Sequence, residues 1–144
     1  MDLILWRHAE AEDGGPDMAR ALTPKGRKQA ARVARWLLER LPKDAVVIAS
    51  PALRAQQTAE ALGKKILTEN GLSPGASVEA ILKAAKGNRT AVVVGHQPDL
   101  GRAIAYLVAG AEGAWRLQKG ALWWISDEGG VLVTAVISPD LLKH

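Results

Sequence analysis

Two of the chain's three histidines directly follow apolar runs that have the composition of buried strands. His8 comes after "LILW" and Arg7, and His96 comes after "AVVVG". A third apolar run, "AVVIA", ends at Ser50, and Arg54 follows within about one helical turn. Imidazole nitrogens can act as nucleophiles, and the planar guanidinium of arginine donates paired hydrogen bonds to phosphate oxygens. Together these residue types favour a site for a tetrahedral oxyanion.

Convergence of these side chains requires their three strands to lie side by side and to run in the same direction. In open α/β sheets, ligands bind beyond the carboxyl ends of the parallel strands, which meet at one edge. Apolar runs that alternate with amphipathic helices are typical of such sheets. The sequence therefore predicts an α/β fold: a three-layer αβα sandwich with a mostly parallel sheet and an antiparallel hairpin at one edge.

The predicted elements follow one another in the order β-α-β-α-α-β-α-β-β. Strands are predicted at three apolar runs and in a closing hairpin around "DEGG": 2–6, 45–50, 91–95 and 121–137. Helices are predicted at four segments: 24–41, 50–63, 77–85 and 97–110. Thr23 is the expected N-cap of the first helix, and 66–76 is expected to be a loop. The apolar stripe of the first helix contains Ala30, Val33, Leu37, Leu38 and Leu41.

Composition narrows the classes of protein to which the chain can belong. Its 144 residues have the usual size of one domain, so a single domain over 1–144 is predicted. The formal net charge of +4 favours anionic partners, but the basic residues are scattered among acidic ones, which disfavours nucleic acid. Cysteine is absent, which excludes disulfides and thiolate metal sites. Without a membrane-length apolar run or a signal-peptide pattern, a cytoplasmic location and no membrane partner are expected.

Four segments resemble the histidine phosphatase superfamily, which has the phosphoglycerate mutase-like fold. They occur in family order as "RHAEAED", "LTPKGRKQA", "ASPALRAQQTAEAL" and "VVVGHQPDL". The likeness covers 3–107 and is greatest to the short SixA-type phosphohistidine phosphatases. It implies that His8 is the nucleophile and that three donor groups hold the phosphoryl group: Arg7, Arg54 and His96. Because these groups supply the charge, no metal or other cofactor is expected to take part.

Departures from the family pattern bear on the substrate. Larger relatives carry a carboxylic acid that protonates the leaving group, and Glu69 is the nearest candidate here. Glu10 and Asp99 are weaker candidates, and Asp99 has helix capping as its alternative role. Ala9 stands where many members have glycine. A phosphate ester needs a strong acid catalyst, whereas the P–N bond of phosphohistidine releases imidazole, a better leaving group.

The predicted function is hydrolysis of phosphohistidine on proteins through a covalent intermediate on His8. Gln97, in the turn before the fourth helix, is a further candidate for substrate binding. Two alternatives stay open: a phosphatase for small phosphate esters, and a non-catalytic phosphate-binding module. A mutase is disfavoured because the chain lacks segments that would reorient a phosphorylated acid. The expected partner is a phosphorylated protein, with phosphate or another oxyanion in the pocket; a monomer is expected, with His144 as a bystander.

Overall fold

The computed structural model describes residues 1–143 and contains one six-stranded mixed sheet. Its strands are β1 (Asp2–Arg7), β2 (Val46–Ala49), β3 (Ile66–Thr68), β4 (Thr90–Gly95), β5 (Leu122–Asp127) and β6 (Val131–Ile137). Their order across the sheet is β3-β2-β4-β1-β5-β6. The first four in this order are parallel, and β5 and β6 are antiparallel. The predicted parallel sheet with an antiparallel edge hairpin is confirmed.

Four helices cover the sheet: α1 (Pro24–Leu38), α2 (Leu53–Glu60), α3 (Val78–Ala85) and α4 (Asp99–Ala109). The Thr23 side chain accepts a hydrogen bond from the Gly26 amide at 2.9 Å, which confirms the predicted N-cap of α1. Ser77 caps α3 in the same way, through the Ala80 amide at 3.0 Å. These caps satisfy amides that the first helical turn leaves without a partner.

The core lies in two layers because side chains alternate along each strand. On β1, Leu3 and Leu5 pack under α3 and α4, whereas Ile4 and Trp6 pack under α1 and α2. Both β1 and β4 are buried on their two faces, as their continuous apolar runs predict. Helices on both faces confirm the predicted three-layer sandwich. No helix within 1–143 is long and apolar enough to cross a membrane.

Three expectations about local structure were wrong. The segment predicted as a loop contains β3 and a 3-10 turn at Asn70–Leu72. β3 has only three residues and lies at the sheet edge, where Leu67 is 44% exposed, so it carries neither the length nor the apolar run of an internal strand. Leu38, assigned to the buried stripe of α1, is 45% exposed, and Ala34 takes the buried place instead. Leu38 follows Leu37 by about 100° around the helix, which turns it toward solvent.

The second helix is also shorter than expected. It was predicted from Ser50 to Gly63 and extends only over Leu53–Glu60, with Ala52 at its N-cap. His144 lies outside the described residues.

Candidate active site

Three strand ends meet at the carboxyl edge of the sheet. β1 and β4 pair in parallel with Arg7 opposite Gly95, so the residues that follow, His8 and His96, lie side by side. Their ring centroids are 5.2 Å apart. A pocket of about 200 Å³ opens here, and we call it the strand-end pocket. It is lined by Arg7, His8, Ala11, Asp13, Arg20, Arg54, Pro74, His96, Gln97 and Lys119. The predicted convergence of two arginines and two histidines is therefore observed.

The hydrogen bonds of His8 define its tautomer. Its Nδ1 lies 2.7 Å from the carbonyl oxygen of Ala9. A carbonyl can only accept, so Nδ1 carries the proton. The lone pair is then on Nε2, which accepts a hydrogen bond from Arg54 Nε at 3.3 Å. His8 thus presents a nucleophilic nitrogen beside a guanidinium.

Burial keeps both imidazoles neutral. Desolvation, together with the charges of His96, Arg54 and Arg7, lowers the pKa of His8 from 6.5 to about 3. Burial also lowers the pKa of His96 from 6.5 to about 4, and the charge of Arg54 adds to this effect. Near neutral pH, His8 therefore has an unprotonated Nε2, which is the state that nucleophilic attack requires.

Arg54 is held in place by a carboxylate that the sequence analysis missed. Its Nη2 donates to Asp17 Oδ2 at 3.1 Å, and its Nη1 donates to the Asp17 carbonyl oxygen at 2.7 Å. The bond to Arg54 lowers the pKa of the exposed Asp17 carboxyl. Arg54 itself is only 4% exposed. Asp17 belongs to a 3-10 turn between β1 and α1, and no motif spacing marked it as a neighbour of the pocket.

His96 is oriented by a buried serine at the end of β2. Its Nε2 lies 2.8 Å from Ser50 Oγ, which also accepts the Ala52 amide at 3.2 Å. We assign the Ser50 hydroxyl hydrogen to Nε2 because the described residues offer it no other acceptor. The proton of neutral His96 is then on Nδ1, a buried atom without a partner within 1–143. Nδ1 is therefore the ring nitrogen left to donate to a bound anion.

The segment 115–121, which we call the wall segment, contributes Lys119 to the lining of the strand-end pocket. Arg7 Nη1 donates to the Leu117 carbonyl at 2.7 Å, and Trp6 Nε1 donates to the Gly120 carbonyl at 2.9 Å. Gly120 has φ 77°, a left-handed conformation that favours glycine, and its amide donates to the carbonyl of His8 at 3.1 Å. These bonds bring Lys119 to the pocket, a lining residue that the sequence analysis did not select.

Gln97 lines the pocket, but both ends of its amide group are engaged. Nε2 donates to the Trp115 carbonyl at 3.0 Å, and Oε1 accepts from the Gly101 amide at 2.8 Å. Gly101 is required there because a Cβ would lie 1.8 Å from the Trp115 carbonyl oxygen. Gln97 therefore ties the wall segment to α4. Its predicted substrate-binding role stays a prediction.

Glu69 is not among the lining residues. Its Oε2 accepts the Gly71 amide at 2.9 Å and caps the 3-10 turn that follows β3. β2 and β4 separate β3 from β1, and three strand spacings amount to about 14 Å. The structure therefore gives no support to Glu69 as a proton donor next to His8.

The two weaker acid candidates are also engaged elsewhere. Asp99 Oδ2 accepts the amides of Gly75 and Ala76 at 2.9 and 3.0 Å, and so holds a loop that contributes Pro74 to the pocket. The alternative prediction, that the Asp99 side chain caps α4, is wrong, because no side chain caps this helix. Glu10 accepts the Thr23 hydroxyl at 2.8 Å. Among residues 1–143, no group of three or more His, Asp or Glu side chains could hold a metal ion.

The fold and the pocket define a class of protein: an α/β domain with buried imidazoles and guanidinium groups at the carboxyl edge of its sheet. The sequence profile of the histidine phosphatase superfamily (branch 1) matches residues 3–77, and the chain belongs to this family. An uncharacterized protein of Picosynechococcus sp. is 37% identical over 114 residues, which cover 70% of this chain and 69% of that protein.

Solved structures agree with this assignment. The protein histidine phosphatase SixA, complexed with tungstate, has a TM-score of 0.85 and 28% identity, covering 99% of this chain and 100% of that chain. Alpha-ribazole phosphatase from Shigella flexneri has a TM-score of 0.74 at 18% identity, covering 96% and 97%, and shares the fold. The predicted family and the SixA-like fold are confirmed, and the chain is a phosphatase of this superfamily.

Proposed function

We propose that this chain hydrolyses phosphohistidine on proteins through a phosphoryl group carried transiently by His8. The observation that carries the proposal is the neutral His8 tautomer, whose Nε2 faces Arg54 at 3.3 Å in a buried pocket. The similarity to SixA, a protein histidine phosphatase, supports this substrate class.

In the first step, the Nε2 lone pair of His8 attacks phosphorus while the P–N bond to the substrate ring breaks. The leaving ring, already protonated on its other nitrogen, departs as neutral imidazole. In the second step, water attacks the phosphoryl group on His8, both water protons remain with the released phosphate, and the electron pair returns to Nε2. Arg7, Arg54 and His96 donate to the phosphoryl oxygens, whose charge they stabilise in both transition states.

The carboxylate that pairs with Arg54 favours the P–N bond over an ester bond as the substrate bond. Asp17 is paired with Arg54, which keeps its pKa low and makes it a poor proton donor. An alkoxide leaving group needs such a donor, whereas imidazole does not. The proposed partner is therefore a phosphorylated protein. The monomeric state, the cytoplasmic location and the absence of nucleic-acid or membrane partners stay predictions.

A second candidate is a phosphatase for small phosphate esters. One observation favours it: Asp13, an exposed residue with a carboxyl group, lines the strand-end pocket. On this alternative, Asp13→Asn lowers turnover of an ester much more than turnover of a phosphohistidine peptide. On our proposal, Asp13→Asn lowers the turnover of each substrate less than about threefold, because neither reaction depends on Asp13.

Turnover of a phosphohistidine peptide and of p-nitrophenyl phosphate, measured in the native protein and in His8→Ala, tests the proposal. We expect the peptide to have the higher kcat/KM and His8→Ala to lose at least about 10⁴-fold on both substrates. Rapid quenching of the native protein during turnover is expected to trap an acid-labile, base-stable phosphoenzyme. Activity retained by His8→Ala, with its thermal unfolding unchanged, would contradict the assignment of the nucleophile.

A further inference from the structure

A second depression, of about 570 Å³, adjoins the strand-end pocket and shares Arg7 and Lys119 with it. Its cationic lining consists of Arg7, Lys25, Lys28, Arg32, Arg116 and Lys119, and we call it the basic groove. Glu10 and Asp140 also line it. The groove extends the site of the phosphoryl group across the surface, between α1 and the wall segment 115–121.

The positive charge of the whole chain is concentrated in this groove. Six of the chain's 19 Lys and Arg residues line it, against two of the 15 Asp and Glu residues, so the rest of the chain carries 13 of each sign. The formal net charge of +4 is therefore the net charge of the groove lining. A surface of one sign beside a reactive pocket attracts ligands of the opposite sign and raises their rate of encounter.

Three of the six groove cations form no ion pair with a carboxylate of the described residues. Within 1–143, Lys28, Arg116 and Lys119 take part in none of the ion pairs, which are formed by Met1, Arg20, Arg40 and Arg54. Glu10 and Asp140 accept hydrogen bonds from the hydroxyl groups of Thr23 and Ser138, at 2.8 and 2.7 Å, and Lys25 is the groove cation whose charge acts on Asp140. Burial lowers the pKa of Arg7, and the nearby like charge of Arg116 lowers it further. An anion in the groove would relieve this repulsion.

The row of cations on α1 matches the length of a short extended peptide. Lys25, Lys28 and Arg32 lie on one face of α1, at positions i, i+3 and i+7, and span about 10 Å. An extended peptide rises about 3.3 Å per residue, so three or four residues cover this distance. The lining contains no aromatic side chain on which a nucleobase could stack, which disfavours single-stranded nucleic acid.

We propose that the basic groove binds an acidic segment of the partner protein, adjacent in space to its phosphorylated histidine. This inference rests on the proposed function and adds the feature by which the partner is selected. The phosphoryl group occupies the strand-end pocket, and Asp or Glu side chains of the same partner lie along α1. The basic groove then selects the partner protein through exposed charges, and the buried strand-end pocket carries out the phosphoryl transfer.

The test uses fluorescein-labelled peptides with a central histidine and a block of four glutamates on its N-terminal or its C-terminal side. Matched peptides carry glutamine instead. Binding of the unphosphorylated peptides is measured by anisotropy, and turnover of the phosphorylated peptides by phosphate release. The groove variant is Lys25→Glu/Lys28→Glu. Its control is Lys83→Glu/Lys86→Glu, which reverses two exposed lysines with the same spacing outside the groove and gives the same net charge.

We expect the native protein to bind at least one glutamate peptide about tenfold more tightly than its glutamine counterpart at low salt. The groove variant is expected to lose this preference, and the control variant to retain most of it. Equal loss of the glutamate preference in the two variants, or no such preference in the native protein, would overturn the proposed role of the groove. So would stronger binding of tripolyphosphate or of a single-stranded oligonucleotide than of any peptide. If the native protein prefers the glutamate peptide but hydrolyses no phosphorylated peptide, the groove stands and the proposed function fails.

Discussion

The strand-end pocket and the basic groove share a border but are built in opposite ways. His8, Arg54 and His96 are each less than a tenth exposed, and hydrogen bonds to other parts of the protein hold each of them in one orientation. Lys25 and Lys28 in the groove are exposed, and no hydrogen bond among the described residues holds their side chains. The strand-end pocket holds its nucleophile and donors in fixed positions, whereas the basic groove supplies positive charge on side chains without fixed partners.

This difference corresponds to two functional demands. A phosphoryl transfer needs donors already aimed at the charge that develops, and such donors are most effective where water is excluded. Removing one typically costs about 100- to 1000-fold in rate. Recognition of a mobile acidic segment tolerates loose geometry, and one exposed charge contributes only about 0.2–1 kcal/mol, or roughly 1.4- to fivefold. Variants in the strand-end pocket should therefore have larger effects, and variants in the basic groove should have smaller effects that weaken as salt is added.

The largest contrast is expected between two arginines. Arg54→Ala removes a donor that contacts His8 directly, and we expect kcat/KM to fall about 100- to 1000-fold for any phosphorylated substrate. Arg102→Ala removes an exposed arginine on α4 and is expected to change kcat/KM less than about twofold. Steady-state kinetics at low and high salt measure kcat/KM of both variants against the native protein. A loss in Arg54→Ala that disappears at high salt would mean that Arg54 acts only as a long-range charge.

A smaller effect is expected at Ser50, whose hydroxyl sets the proton position of His96. Ser50→Ala should lower kcat/KM by about tenfold, because His96 then populates the tautomer in which Nδ1 lacks its hydrogen. The ¹⁵N shifts of the His96 ring report this directly: an Nδ1–H tautomer in the native protein and a mixture in Ser50→Ala. Ser50→Thr, which keeps the hydroxyl, should restore both properties. An unchanged tautomer in Ser50→Ala would mean that Ser50 does not set it.

The two regions also differ in how far the sequence predicts them. His8 and His96 were found because each follows an apolar run, and parallel strands bring such ends together whatever the loops do. Asp17 and Ser50 act through contacts 37 and 46 positions away in the chain, and loop paths and side-chain rotamers set these contacts. The roles of such residues do not show in periodicity or motif spacing.

The groove escaped the sequence analysis for a related reason. Its cations come from α1, from the end of β1 and from the wall segment, so they form no basic block in the sequence. The scatter of Lys and Arg among acidic residues disfavours a nucleic-acid partner and does not indicate a cationic groove. Only the fold shows that a subset of them shares one depression. Charge clustering in space therefore cannot be judged from charge clustering along the chain.

Proton linkage is a third property that separates the two regions. His8 and His96 have folded-state pKa values of about 3 and about 4 against 6.5 when unfolded, so the unfolded chain binds more protons below pH 6.5. The free energy of unfolding should therefore fall as the pH is lowered from about 7.5 to about 5, by up to about 2 kcal/mol per histidine. Urea denaturation at the two pH values measures this decrease. His8→Gln should reduce it, whereas Lys25→Gln/Lys28→Gln should leave it unchanged, because lysine stays charged throughout this range. An equal decrease in native protein and His8→Gln would show that His8 is not held neutral by burial, which would remove the physical basis for its role as nucleophile.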